Sequence, residues 1–150
     1  MNIDYGNLTG EMMQLVLAAL ILRLLIWIFY ANTVRRTLLR LAPENRLIKP
    51  ETAWLLVIPI FNIYWNFIVA SRLADSLTNE FYDRKIAEEE HPGRATGRRY
   101  AWLFLLSNIP FPPFILVTVA LLSFVYFIAY WVKVNNFRNL LVEHEKFKNE

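Results

Sequence analysis

The residues able to do chemistry are few, and they lie far apart. His91 and His144 each stand alone in a charged stretch, and HEKF at 144–147 lacks the second histidine of a zinc-protease helix. The run Glu88, Glu89, Glu90, His91 has ligand types, but a solvated helix end explains it without a metal. There is no cysteine, which excludes disulfides, thiolate catalysis and Cys-ligated metals, and the four glycines are too scattered for a phosphate loop.

Four polar residues stand out because of their surroundings. Arg23 is the one charged residue inside an apolar run. At the centre of a membrane helix such a charge costs about 2.5–3.5 kcal/mol on insertion scales. Asn62 and Asn66 lie one turn apart in AWLLVIPIFNIYWNFIVA and share a helical face with Pro59, whose missing N–H would free the Leu55 carbonyl. Asn108 lies in LLSNIPFPP, a second proline-interrupted stretch. These four form the candidate intramembrane polar site. They can bond neighbouring helices or line a binding site, since short interrupted segments line transporter sites elsewhere. Ala19, Trp27 and Tyr30 share the Arg23 face, and no carboxylate lies in any apolar run. The sequence therefore predicts that Arg23 either snorkels to a headgroup or turns inward, to the polar face of residues 59–66 or to a partner's carboxylate.

The elements that must position these groups come from hydrophobic segregation. Of 150 residues, 56% are apolar, and about two thirds of those fall in four blocks at 12–31, 53–70, 101–111 and 114–132. The pattern predicts an all-α polytopic membrane bundle in one domain, 1–150. The first block spans about 30 Å as a helix. The second is a marginal span, and the third, about 15 Å long, is half of one. An amphipathic stem carries the second helix on through Leu73, Leu77 and Phe81, with Glu80 four residues before Arg84, until Pro92 and Gly93 stop it. The fourth helix is expected to run through Asn135 and Asn136 into the charged tail, 133–150. The residues before Met12 carry the acids Asp4 and Glu11 and no Lys or Arg, so the first block is expected to stay in the mature protein rather than be cleaved as a signal peptide.

Net charge of +3 could suggest nucleic acid, yet the sixteen Lys and Arg flank the apolar blocks, which membrane topology explains better. Six basic residues lie in 71–100, four in the tail and five in 32–52. Four crossings with both termini inside would leave ten in and five out, whereas three crossings with a re-entrant second block would put all fifteen inside. Both readings place residues 71–100 and the C-terminus in the cytoplasm.

The stretch AWLLVIPIFNIYWNFIVASRLADSL, with YWVKVNNFRNLL near the end of the chain, resembles small bacterial multi-pass membrane proteins carrying a four-helix domain of unknown function. The resemblance covers mainly residues 53–77 and 130–141. It implies a bacterial cytoplasmic membrane and a helical bundle and implies no catalytic residue; from the residues themselves no cofactor or metal is expected. The expected role is non-enzymatic: an accessory or scaffold subunit of a membrane complex, in contact with lipid and with other subunits or copies of itself. The alternative is a small oligomeric channel or transporter with a polar site at Arg23, Asn62 and Asn66.

Overall fold

The structure, a computed structural model, describes the backbone of residues 5–148 and the side chains of 9–147; Asp4 and the side chain of Lys148 lie outside them. It is 82% helix with no strand among the described residues. Four α-helices are joined by two 3-10 segments: α1 (Tyr5–Leu39), Pro43–Asn45, Pro50–Val57, α2 (Phe61–Asp83), α3 (Arg94–Ser107) and α4 (Pro113–Lys148).

Helix α1 has neither glycine nor proline between Glu11 and Leu39, so nothing interrupts its backbone ladder. Its last turn tightens, with the Arg40 and Leu41 amides donating to the Thr37 and Leu38 carbonyls. The remaining carbonyls are covered by arginines from elsewhere. Arg84 donates to the Arg40 carbonyl at 2.9 Å, and Arg46 donates to that of Leu41 at 2.7 Å. Cations suit this end of a helix, where the dipole is negative.

The second apolar block departs from expectation. It is no single helix, because Pro50–Val57 is a 3-10 segment lying along α1, and the chain then reverses before α2 begins at Phe61. The reversal is a tight γ-turn: Ile60 has φ 67° and ψ −52°, and the Phe61 amide donates to the Pro59 carbonyl at 2.7 Å. The Leu55 carbonyl, expected to be left free by Pro59, accepts from the Ile58 amide at 3.3 Å instead. Pro59 therefore sits in the reversal, off the helical face that Asn62 and Asn66 share.

Helix α2 also stops earlier than Pro92 and Gly93 would dictate. Lys85 adopts φ 55°, and the Ile86 amide reaches back to the Phe81 carbonyl at 2.9 Å, the closing bond of a Schellman motif. Arg94 begins α3 after Gly93, whose φ of 74° few other residues tolerate.

Side-chain pairs fix the directions. Trp27 meets Phe127, Tyr30 meets Trp131 and Arg40 meets Glu145, so α1 and α4 run parallel. Phe67 meets Trp102 and Asp75 pairs with Arg94, so α3 runs back along α2; Tyr100 against Phe127 makes it antiparallel to α4 as well. The core is the lower part of this bundle. It holds Tyr30, Val34 and Leu38 of α1, Leu73 and Leu77 of α2, Tyr100 of α3, and Tyr130, Val134 and Leu141 of α4. At its centre Gly97 lets three helices approach, since a Cβ there would lie 2.7 Å from the Tyr130 ring and 2.9 Å from the Ala70 methyl.

Above this core α1 and α4 are bare. Among the described residues they are the two helices long and apolar enough to cross a membrane, and of their most apolar windows only 6% and 17% is buried. The core helix of a water-soluble protein would bury such a surface.

Candidate functional site

Where the bare halves begin, α1, α3 and α4 enclose a cleft of about 530 Å³. The parallel register of α1 and α4 brings Arg23 and Ser123 to it, one turn above the Trp27–Phe127 contact. The antiparallel α3 delivers its C-terminal end, Ser107 and Asn108. Both close that end locally, donating to the Phe104 carbonyl at 2.8 and 2.7 Å. The negative end of the α3 dipole thus faces the same cleft as Arg23. The guanidinium itself makes no hydrogen bond or ion pair among the described residues.

Tyr100 forms the floor. It is 2% exposed, and its hydroxyl has no hydrogen-bond partner. The Asn66 amide approaches it without a well-aligned bond, and the Arg23 charge acts on it from the cleft side. Asn66 otherwise donates to the Asn62 carbonyl at 2.8 Å, within α2, leaving its own side-chain oxygen buried and unpaired. Of the four residues singled out in the sequence, Arg23 and Asn108 therefore share the cleft. Asn62 and Asn66 are buried in α2 and do not line it, and Asn66 alone approaches Tyr100. Sequence reasoning missed Tyr100, Ser107 and Ser123, whose partners are set by helix register rather than by local spacing.

A second polar cluster lies at the opposite end of the bundle. Glu80, 3% exposed, accepts from the Ala42 amide at 2.8 Å, from Asn45 at 2.9 Å and from Arg84 at 2.7 Å. Arg84 and Arg40 both reach Glu145 of α4. The acidic run of residues 88–91 is tied in nearby: Glu89 accepts from the Gly93 amide at 2.7 Å and from Lys133 at 3.0 Å. Burial alone would raise the Glu89 pKa, but the Gly93 amide and Lys133 outweigh it and hold the carboxyl below the ordinary glutamate range. These contacts organise charge rather than create a reactive group. No nucleophile has a general base within hydrogen-bonding distance in either cluster.

No protein-family model, curated protein or solved structure matches the chain, so the likeness read in residues 53–77 and 130–141 has no counterpart among them.

Proposed function

We propose that the chain is a multi-pass protein of the cytoplasmic membrane that crosses it three times, with a re-entrant hairpin between the first crossing and the second. Its role is non-enzymatic, that of an accessory or scaffold subunit. The observation that carries this reading is the hydrogen bond between the Ala42 amide and Glu80 at 2.8 Å. A bilayer cannot lie between bonded groups, so the second block returns to the side from which it left. Residues 32–52, 71–100 and 133–150, with fifteen of the sixteen Lys and Arg, then share one face, as the positive-inside rule favours.

The scaffold role rests on what the two ends offer. The basal end is a charge-tied platform, while the other presents bare apolar helices and one cation. A channel formed by self-association would need a polar face along the crossings. The exposed stretch of α1 from Met12 to Leu25 carries only Gln14 and Arg23 as polar residues, which favours the scaffold.

The cysteine-free chain makes the test direct. Single cysteines at Lys85, Lys148 and Arg46 should all resist an impermeant maleimide added to intact cells, whereas one at Thr9 should react. Labelling at residue 85 or 148 overturns the orientation, and labelling at 46 alone restores four crossings.

A further inference from the structure

We propose that the Arg23 cleft is the seat for one transmembrane helix of a partner protein, and that this helix carries a carboxylate midway along its length. The inference deepens the membrane-scaffold reading above and rests on it. Depth is the first argument. Arg23 lies twelve residues from Glu11 and twelve from Arg35, or about 18 Å of helix in each direction. Arginine cannot span that, so the anion that neutralises Arg23 must itself lie inside the bilayer. The apolar blocks of this chain contain no Asp or Glu, and lipid phosphates sit at the surface. A carboxylate held at mid-depth on another helix meets the requirement.

Tyr100 supplies the second argument. Tyr100 lines the same cleft and its hydroxyl is buried without a partner, so a shift of that ring would let it donate to a carboxylate that also accepts from the guanidinium. The walls fit a helix as well. Ala19 on α1 and Ala120 and Ser123 on α4 keep the sides low, which lets two backbones approach in lipid. Above Trp27 and Phe127 the described residues of the outer halves of α1 and α4 are mostly exposed, leaving the third side of the groove open to an incoming helix.

The test uses the full chain in phosphatidylcholine nanodiscs with a fluorescent Leu/Ala transmembrane peptide bearing one central Asp, compared with its Asn and Leu counterparts. The Asp helix should associate about tenfold more tightly than the Leu helix, the size of a good interhelical polar contact. Arg23→Leu and Arg23→Gln should abolish the preference, and Arg23→Lys should keep part of it, lacking the fork of donors. Arg23→Asp should transfer the preference to a Lys-bearing helix. Cysteines at Ala19 and Ala120 should cross-link to one placed beside the peptide's Asp, and a cysteine at Val125, outside the cleft, should not. Equal binding of the Asp and Leu helices to the wild type overturns the proposal, as does a preference that survives Arg23→Leu. So does Arg23-dependent retention of anionic lipid without helix preference, which would assign the site to a headgroup. Should maleimide labelling support the topology while the preference is absent, this inference alone fails; reaction at residue 85 would instead bring down the reading beneath it.

Discussion

The same two helices live in two environments. In its lower part α1 buries Trp27, Tyr30, Ala31, Val34 and Leu38, while every described residue from Glu11 to Leu25 is exposed. Helix α4 divides similarly, with Phe127, Tyr130, Val134, Phe137 and Leu141 buried below and Phe114, Val117 and Leu121 bare above. Polar contacts follow the division. The long-range ion pairs, Arg40 to Glu145, Arg84 to Glu145, Asp75 to Arg94 and Glu89 to Lys133, all lie below. In the upper half the described bonds run within one helix or its cap, such as Thr118 to the Phe114 carbonyl. The fold is thus held at one end, and the other is free to face lipid or another protein.

Substitutions can break or sharpen that contrast. The largest effect is expected at Glu80, because Glu80→Ala takes from the partly buried Arg84 its shortest ion pair, from Asn45 one of its two carboxylate acceptors, and from the Ala42 amide its acceptor. Chemical unfolding in detergent should register a loss of about 3 kcal/mol, with Glu80→Gln milder. Gly97→Ala comes next, forcing a methyl against Tyr130 and Ala70; an overpacked junction of this kind costs about 1–3 kcal/mol. The upper half should be nearly silent. Leu17→Ala, at a position 53% exposed, should change stability in detergent by less than about 0.5 kcal/mol. A large effect there would mean that the outer halves pack together, and the two-environment picture would fail.

Much of the frame was legible in the sequence. The apolar runs marked α1 and α4, the four-residue recurrence of Leu73, Leu77 and Phe81 marked the buried face of α2, and Glu80 with Arg84 proved a true pair. What escaped were events without a local signal. The reversal after Pro59 turns on an isoleucine at positive φ, a conformation that a β-branched residue rarely adopts. The end of α2 rests on a lysine where glycine would have announced it. Of the candidate site, the isolation of Arg23 could be read from composition, whereas its separation from Asn62 and its meeting with Tyr100 depend on how α2, α3 and α4 align.

Arg40 is bonded to a glutamate 105 positions further along the chain. During synthesis, Arg40 and Arg84 therefore both lack that acceptor until the end of α4 has been made. Closure of the base needs the last helix. A chain stalled before α4 would be half-clamped at its base, and its Arg23 groove would lack the Ser123 wall.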